Sequence, residues 1–431
     1  MSYIASNGYV RIKVDNRLRK KNLVGDSVRL AFVGSVVDAA DSSKYPAYSI
    51  SGDLFQKRLL RSLSEAGLPV NHIFSVRPIP SFPQCRRLWF ASEKTTIGEG
   101  LATTQLPFLN LGILKRLTLG IALFFRLLLW GLKGRRNSKK VILLYNIATP
   151  PAFVTLIVAR IIRAKVFAIV ADLPIPGSGI ISNTFLRRLD FQLQTRILPL
   201  FHGLIVLTRQ MAYDFAPQVP FIHMEGAVPQ QLLQSLANPS EVKQSGDQRH
   251  ILMYAGKLDE LSGIPLLLEA FPRLQGDQYR LWIVGKGPLQ QRVERAAKED
   301  SRIIYWGFLP YAKVLSLYGE ATVLINPRST KLLSTRYLFP SKLIEYIATG
   351  RPVITTCTSD VEEEYGPLVF ILRDETPEGL SRLVVKVTSM SSIERDAVTQ
   401  RARAYIMERK TWEHQGERIA EFIRRQLCTD S

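Results

Sequence analysis

The alternation of apolar strands and amphipathic helices in the second half of the chain constrains its fold most. Apolar runs at 250–255, 279–284, 303–306 and 323–325 are separated by segments with helical patterning. Strands that are buried on both faces are continuous apolar runs, and a helix between two of them makes the pair parallel. This half is therefore predicted to form a doubly wound parallel sheet of the α/β class.

A ligand site is predicted within residues 326–356, at the carboxyl end of one of these strands. The apolar run 323–325 ends at a polar residue and a proline, and a short helix is predicted to begin near Pro340. A helix amino terminus offers unpaired backbone N–H groups and partial positive charge. The segment from Pro340 through Ser341 to Lys342 is therefore a predicted anion site.

Arg328 and Glu345 are expected to complete this site. Arg328 follows the strand, and Glu345 lies about one turn into the predicted helix. A carboxylate repels phosphate, so its natural use beside a phosphate site is to accept hydrogen bonds from sugar hydroxyls. The pattern predicts a bound nucleotide, with its diphosphate at the helix tip and its ribose at Glu345.

Several motifs of this half resemble a known family. They are the segments 254–258, 263–271, 281–288, 304–308, 326–328 and 339–346. In this order and spacing they resemble the retaining glycosyltransferases of family 4, in a subgroup with the motif Phe-Pro-Ser-Lys-x-x-Glu-Tyr. The resemblance implies a GT-B fold, in which two Rossmann-like parallel-sheet domains face a central cleft. It also implies transfer from a nucleotide-sugar donor without a metal or other cofactor.

The resemblance gives roles to individual residues. Lys257, Arg328 and Lys342 would neutralise the leaving diphosphate. Two departures bear on this assignment: Tyr337 stands where the family often has the first of two glutamates, and Ser262 stands where it often has a second cation. Three cations are therefore left to share the diphosphate charge.

Glycines at the ends of predicted strands are further candidates for donor contacts. Gly34, Gly256, Gly285 and Gly287 each follow an apolar run. Glycine suits places where the backbone approaches a ligand, and it equally suits sharp turns. Both interpretations stay open, and these glycines join Pro340, Ser341 and Glu345 as predicted donor-binding residues.

The first half of the chain is predicted to form a second α/β domain. Its strands include 28–33, 141–146, 166–170 and 204–207. The third of these leads to Asp172, near the place where many relatives have a histidine that faces the transferred sugar. Asp172 is either a capping or loop aspartate or a ligand of a donor or acceptor hydroxyl, with general-base catalysis as a narrower option.

The segment 109–140 is apolar in its middle and basic at both ends. Its apolar part, 117–132, contains Arg126 and is shorter than the roughly 20 residues that span a bilayer. One interpretation is a buried helix of the first domain. The other is a helix that dips into a membrane surface while flanking lysines and arginines reach the headgroups, and the two can hold together.

Composition limits the classes of partner. The 431 residues fit two domains, and 57 basic against 37 acidic residues give a formal net charge of +20. This excess suits an anionic membrane surface, phosphorylated substrates or nucleic acid. Zinc-finger spacing, RNA-binding aromatic motifs and a clear recognition helix are missing from the sequence, so no nucleic-acid partner is expected.

Cysteine and histidine usage indicates the cellular compartment and the capacity for metal binding. Three widely separated cysteines indicate reduced thiols in a cytoplasmic protein, and five histidines without ligand spacing argue against a metal site. The amino terminus lacks the features of a signal peptide. A cytoplasmic protein is expected, either free or peripheral at the inner face of the plasma membrane.

Four regions are predicted along the chain. They are a basic lead-in at 1–27, an acceptor-side domain at 28–228, a nucleotide-sugar-binding domain at 229–411 and a helix at 412–431 that crosses back to the first domain. Residues 362–365 are expected to form an exposed acidic turn, and Glu225 is a candidate for a role at the cleft.

The expected function is retaining sugar transfer to a glycan, a lipid-linked sugar or another polysaccharide precursor. A non-catalytic nucleotide-sugar-binding or membrane-associated scaffold of the same fold is the alternative.

Overall fold

The chain contains two parallel β-sheets, each covered by helices. The structure, a computed structural model, describes residues 28–38, 45, 49–97, 100–133, 138–175, 184–228, 249–331 and 333–429. The predicted basic lead-in, 1–27, lies outside the described residues. Within them, one sheet is built from the first half of the chain and the other from the second half. The α/β fold class predicted from the sequence is confirmed.

The first sheet is parallel apart from one edge strand. The strands of this half are β1 Arg29–Gly34, β2 Val70–Ser75, β3 Trp89–Phe90, β4 Glu93–Ile97, β5 Leu101–Gln105, β6 Phe108–Leu109, β7 Lys140–Tyr145, β8 Ala164–Val170, β9 Gly203–Val206 and β10 Phe221–His223. The sheet order is β10-β9-β8-β7-β1-β2-β5-β4, with β4 antiparallel to β5, while β3 and β6 form a separate antiparallel pair.

Helices cover both faces of this first sheet. They are α1 Ile50–Glu65, α2 Gly112–Leu132, α3 Pro151–Ile162, α4 Phe185–Ile197 and α5 Arg209–Phe215. Alternate residues of β1 enter different cores: Ala31 and Val33 pack with α2 and α3, whereas Leu30 and Phe32 pack with α1. Because both faces are buried, the strand is apolar throughout, as the sequence pattern indicated.

The second sheet is entirely parallel. Its strands are β11 His250–Ala255, β12 Tyr279–Val284, β13 Ile303–Tyr305, β14 Val323–Asn326, β15 Val353–Thr356 and β16 Phe370–Leu372. The order β13-β12-β11-β14-β15-β16 places a topological switch between β11 and β14, because the chain builds outward from this point in both directions. Open α/β sheets bind ligands at such a switch, beyond the carboxyl ends of the strands.

The helices of the second half complete the layers around this sheet. They are α6 Ile264–Ala270, α7 Gln290–Glu299, α8 Tyr311–Glu320, α9 Lys342–Ala348, α10 Val361–Tyr365, α11 Pro377–Ser389, α12 Ser392–Arg409 and α13 Trp412–Cys428. Three of the later ones begin at a serine or threonine whose side chain accepts a backbone N–H of the first turn: Thr376, Ser391 and Thr411. Such caps satisfy donors that have no partner within the helix.

Helix α13 returns to the first domain. Trp412, Ile419 and Ile423 are buried in the same core as Leu59 and Leu63 of α1. The segment that leaves the first domain also lies beside the segment that returns to it, since Val228 and Thr411 form an isolated parallel bridge. The exact boundaries at 228 and 411 stay predictions.

Helix α2 is buried on one side only. Leu119, Leu123 and Leu127 are fully or almost fully buried, so the buried-helix interpretation holds for this side. Among the described helices, none has both the length and the apolar character that crossing a membrane requires. Contact of the other side with lipid stays a hypothesis at this point.

Candidate functional site

Three of the predicted cations lie together at the switch between β11 and β14. Lys257 follows β11, Arg328 follows β14, and Lys342 is the first residue of α9. Asp259, in the loop after β11, interacts electrostatically with all three. We call these four residues the basic corner.

Lys342 is a partly buried cation of the basic corner. Its Nζ donates a hydrogen bond to the backbone carbonyl of Ala255 and lies 5.6 Å from the centroid of the Tyr254 ring. Burial lowers the pKa of Lys342 to about 8, while the nearby Glu345 carboxylate acts in the opposite direction. A neighbouring anion would stabilise the charged form of a lysine whose pKa is lowered by burial.

Arg328 is in a similar position. Burial lowers the pKa of its guanidinium, and the nearby Tyr254 and Asp259 partly oppose this effect. Within the part of the chain that the structure describes, neither Arg328 nor Lys342 forms an ion pair shorter than 4.0 Å. Burying a charge without such a partner is unfavourable, so the corner is suited to receive an anion.

Lys257 differs from these two cations because its charge is already paired. Its side chain is 64% exposed, and its Nζ lies 2.8 Å from Oδ2 of Asp259. The other carboxylate oxygen of Asp259 accepts the backbone N–H of Ser262 at 2.9 Å. Burial alone would raise the pKa of Asp259, but these hydrogen bonds lower it overall. Sequence reasoning missed Asp259, although an aspartate three residues before a serine in a polar loop is a recognisable turn signal.

The predicted glycines of the second domain are explained by close packing. A Cβ atom on Gly256 would lie 2.1 Å from Nζ of Lys342, so this glycine makes room for the buried lysine. Gly285 has a φ of +135°, and a Cβ there would lie 1.7 Å from the carbonyl oxygen of Gly256. A Cβ on Gly287 would lie 2.4 Å from the carbonyl oxygen of Leu258. The turns after β11 and β12 therefore pack backbone against backbone beside the basic corner.

Helix α9 is short, and Ser341 at its amino terminus is exposed to solvent. The helix has seven residues, Ser341 precedes it, and the Ser341 side chain is exposed and makes no capping hydrogen bond. Pro340 is buried, and its carbonyl accepts the N–H of Leu343 at 2.7 Å. Lys342 itself, rather than the helix tip alone, supplies the main positive charge here.

Glu345 lies where the two domains face each other. Its carboxylate accepts a hydrogen bond from the hydroxyl of Tyr311 on α8, and Arg58 on α1 of the first domain contributes a favourable charge. Burial raises the pKa of Glu345, and the hydrogen bond from Tyr311 together with the charges of Lys342 and Arg58 partly opposes this shift. Tyr311 and Arg58 were missed from the sequence, because neither stands in a motif or near Glu345 in the chain.

Asp172 and Gly34 lie at the carboxyl edge of the first sheet. Asp172 is exposed, its backbone N–H donates to Oδ1 of Asn146 at 3.2 Å, and the surrounding protein raises the pKa of its carboxyl. A Cβ on Gly34 would lie 2.4 Å from Oε1 of Gln56, so close packing with α1 explains this glycine. Among the described residues, neither Asp172 nor Gly34 has a hydrogen bond or ion pair with the basic corner.

A second charged cluster joins the domains at their crossing point. Nζ of Lys410 lies 3.0 Å from both carboxylate oxygens of Glu225 and 2.9 Å from Oε1 of Glu364. The hydroxyl of Tyr365 donates to Glu225 at 3.0 Å. We call these four residues the hinge cluster. The expectation of an exposed acidic turn at 362–365 is wrong for Glu364 and Tyr365, because long-range partners bury them.

The hinge cluster extends into both domains. Nη2 of Arg209 on α5 lies 2.7 Å from Oε2 of Glu364, and Nε2 of His223 lies 3.3 Å from Oδ2 of Asp360. Burial alone would raise the pKa of Glu364. The charge of Lys410 and the hydrogen bonds that the Glu364 carboxylate accepts hold that pKa at about 2. Ligand atoms of His223, Glu225 and Glu364 lie within 4.8 Å of one another, a spacing that could hold a metal ion. The Lys410 ammonium already binds both carboxylates and supplies the positive charge there.

Tyr337 also connects the domains. Its hydroxyl donates to Oδ2 of Asp214 on α5 at 2.7 Å, and its ring centroid lies 5.4 Å from that of Phe215. A recess of about 510 Å³ opens beside this contact. It is lined by Gln210, Thr330, Lys331, Thr335, Arg336, Cys357, Ser359 and Asp360.

The two parallel sheets, with a charged site between them and a last helix that returns to the first domain, define a GT-B fold. Solved structures of this fold superpose on nearly the whole chain. Sucrose-phosphate synthase from Thermosynechococcus elongatus matches with a TM-score of 0.62 and 14% identity, covering 94% of this chain and 100% of that one. Anabaena HepE in complex with UDP matches with a TM-score of 0.62 and 14% identity, covering 92% and 100%.

A family model matches part of the second domain. Residues 249–389 match the family model described as "Glycosyl transferases group 1". The putative colanic acid biosynthesis glycosyltransferase WcaL of Salmonella typhimurium is 24% identical over 244 residues. This alignment covers 49% of the chain and 60% of the relative, so it extends over less than two thirds of that protein.

Proposed function

We propose that this protein is a retaining glycosyltransferase that moves a sugar from a nucleotide-sugar donor to a glycan or lipid-linked acceptor. The observation that carries the proposal is the pair of partly buried cations, Lys342 and Arg328, at the switch point of the second sheet, which have no ion-pair partner among the described residues. A donor diphosphate is an anion of suitable charge for two such cations, and arginine recognises phosphate oxygens well.

The same cations would act in the chemical step. When the bond between sugar and diphosphate breaks, positive charge develops on the sugar and negative charge moves onto the leaving group, while an acceptor hydroxyl forms the new bond to the sugar and gives up its proton to the leaving diphosphate. Preorganised positive groups beside that leaving group lower the barrier, because they bind the transition state better than the ground state. Lys342 and Arg328 would fill this role, with Lys257 as an exposed third cation. Glu345 would accept hydrogen bonds from the ribose, and Asp172 would face the acceptor side.

The comparisons support the donor and acceptor classes. The family model covers the domain that carries the basic corner, and HepE, which has the same fold, was solved with UDP. WcaL is named for colanic acid biosynthesis, which favours a polysaccharide precursor as the acceptor. A protein that acts on such a precursor would work in the cytoplasm or at the inner face of the plasma membrane.

The proposal is tested by nucleotide binding. Thermal unfolding is measured with UDP, GDP, ADP, TDP and CMP, for the natural protein and for Lys342→Met, Glu345→Ala and the control Lys298→Met, whose side chain is exposed on α7. One diphosphate, at about a hundred times its dissociation constant, should stabilise the natural protein by roughly 2.7 kcal/mol. Lys342→Met and Glu345→Ala should lose most of this gain, and Lys298→Met should keep it. A gain that is absent throughout, or equal in all variants, would contradict the proposal.

Retention and metal independence need a separate measurement. Proton NMR of the product formed from a sugar donor should show the anomeric configuration of the donor, and activity should persist after treatment with EDTA. An inverted product would reject the retaining mechanism, and complete loss in EDTA that Mg²⁺ restores would show that the cations of the basic corner do not suffice.

A non-catalytic nucleotide-sugar-binding protein or scaffold of the same fold is the second candidate. It is favoured by Tyr337, which stands where the family often has a glutamate and bonds instead to Asp214 of the first domain. Such a protein would bind one nucleotide in the unfolding assay yet neither transfer nor hydrolyse the sugar donor. Slow hydrolysis of the donor by the natural protein would exclude it.

A further inference from the structure

Helix α2 exposes a continuous apolar stripe on the side that faces away from the sheet. Its members recur every fourth residue, which is the spacing of one helix face. They are Ile113, Leu117, Ile121, Phe125 and Leu129, each with at least half of its side chain exposed. Soluble proteins rarely expose extended apolar stripes of this kind unless the surface binds something.

Helix α3 extends the apolar surface. It packs beside α2 on the same face of the first sheet, where a Cβ on Gly131 of α2 would lie 2.4 Å from Ile162. On its outward side, Ile157 and Ile161 are each 55% exposed. We call the α2 stripe together with Ile157 and Ile161 the α2 face.

The charges of this part of the chain identify the chemistry of a partner. Residues 100–171 contain no aspartate or glutamate. Their basic residues are Lys115, Arg116, Arg126, Lys133, Arg135, Arg136, Lys139, Lys140, Arg160, Arg163 and Lys165. Arg116 in the first turns of α2, Lys133 after its last residue and Arg160 in the last turn of α3 are exposed, whereas the ammonium of Lys115 donates to the carbonyl of Ile79. An apolar face with cations at its ends complements a surface that is apolar inside and anionic outside.

We propose that the α2 face docks onto an anionic lipid bilayer, with α2 lying in the plane of the interface. The apolar stripe would enter the acyl boundary, and the cations at the helix ends would bind lipid phosphates. A second copy of the chain fits less well, because it would bring two strongly basic surfaces together without a carboxylate from 100–171. Helix α2 would lie on the bilayer and not cross it, since it lacks the combination of length and apolar character that a membrane span requires.

Docking would deepen the proposed function, on which this point rests, because it would bring the enzyme to the surface that holds a lipid-linked sugar acceptor. The docking itself does not depend on donor chemistry. It is measured without any nucleotide, so failure of docking and failure of the proposed transfer are separate results.

The test is vesicle flotation. The natural protein should float with vesicles of equal parts phosphatidylcholine and phosphatidylglycerol, stay unbound with pure phosphatidylcholine, and dissociate as salt rises. Ile121→Gln combined with Phe125→Gln should weaken binding at least about tenfold, since two large apolar groups no longer enter the interface. The matched control is Ile393→Gln on α12 of the second domain, where Ile393 is 80% exposed, and this variant should float like the natural protein.

Several outcomes would overturn the proposal. They are absence of flotation with the anionic vesicles, equal flotation of the α2 variant and the natural protein, and equal weakening in Ile393→Gln. Light scattering without lipid provides one more: if the natural protein is a dimer that the α2 variant dissociates, a second copy occupies the face. Thermal unfolding of each variant confirms that folding is unchanged, because both altered side chains are more than half exposed.

Discussion

The basic corner and the hinge cluster each contain a lysine that is withdrawn from solvent, partly for Lys342 and almost fully for Lys410, but they surround it differently. In the basic corner, Lys342 has a backbone carbonyl, the Tyr254 ring and no carboxylate within 4.0 Å among the described residues. In the hinge cluster, Lys410 binds two carboxylates, those of Glu225 and Glu364. The first lysine has a lowered pKa and its charge is not balanced by a contact. The second is balanced by groups of the protein itself.

This difference separates a structural charge from one that is available to a ligand. Removing one member of a buried ion pair leaves the other member unpaired in a poorly solvated place, which is strongly destabilising. Removing a partly buried charge that has no ion-pair partner relieves a desolvation penalty, and the Ala255 carbonyl that Lys342 contacts still accepts the hydroxyl of Tyr346. The two lysines should therefore respond in opposite ways to the same substitution.

The largest expected effect is that of Lys410→Met on stability. It would remove the ammonium from the buried Glu225 carboxylate and from Glu364, which keeps Arg209 as a partner, and we expect the free energy of unfolding to fall by about 3–5 kcal/mol. Urea unfolding measures this, with Lys298→Met as the exposed control. A loss below about 1 kcal/mol would mean that the hinge cluster relaxes or admits water. Lys410 would then not be a structural charge.

Lys342→Met should affect turnover and leave stability intact. Its free energy of unfolding should equal or exceed that of the natural protein, because a partly desolvated charge without an ion-pair partner is removed. Its turnover of a sugar donor should fall roughly a hundredfold, since one charge-stabilising contact is commonly worth about 3 kcal/mol in the transition state. Urea unfolding and initial-rate kinetics are measured on the same preparation. Lower stability with unchanged turnover would give Lys342 a structural role instead.

The smallest effect is on the pH dependence of nucleotide binding. Lys342 has a pKa of about 8 in the free protein, and a bound diphosphate would raise it. Binding then takes up a proton above pH 8, so affinity should be constant below that pH and fall by up to about tenfold per pH unit above it. Without ligand the sign is opposite: the unfolded chain binds more protons between pH 8 and 10.5, so this group makes stability rise with pH there.

Calorimetric titration with the preferred nucleotide between pH 7 and pH 9.5 checks the binding profile. Lys342→Arg provides the control, because a guanidinium stays charged and its profile should be flat over this range. A natural protein with an equally flat profile would show that Lys342 is charged before the ligand arrives.

Most of the second domain could be predicted because its information is local. Central parallel strands such as Val323–Asn326 are continuous apolar runs, and the cations at their carboxyl ends follow directly in the chain. The antiparallel strand Glu93–Ile97 was missed for the opposite reason: it lies at the sheet edge, and its residues are mostly polar and exposed. Edge strands of this composition carry no periodic apolar signal.

The environments of the site residues could not be predicted, because they are made by residues distant in the chain. Glu364 looks like part of an acidic surface turn until Arg209 and Lys410 are brought to it. In the same way, Glu345 meets Tyr311 only in the folded second domain, and it interacts with Arg58 only after the two domains pack together. Short motifs indicated which residues carry charge, and the tertiary structure decided which of those charges are balanced.

Helix α13 has a consequence for building chimaeras of this protein with other proteins of its fold. Trp412, Ile419 and Ile423 belong to the core beside α1, although they follow the second domain in the chain. An exchange of the second domain that replaced everything after residue 228 would therefore remove part of the core of the retained half. The exchangeable unit ends before Thr411, and the last 17-residue helix has to travel with the first domain.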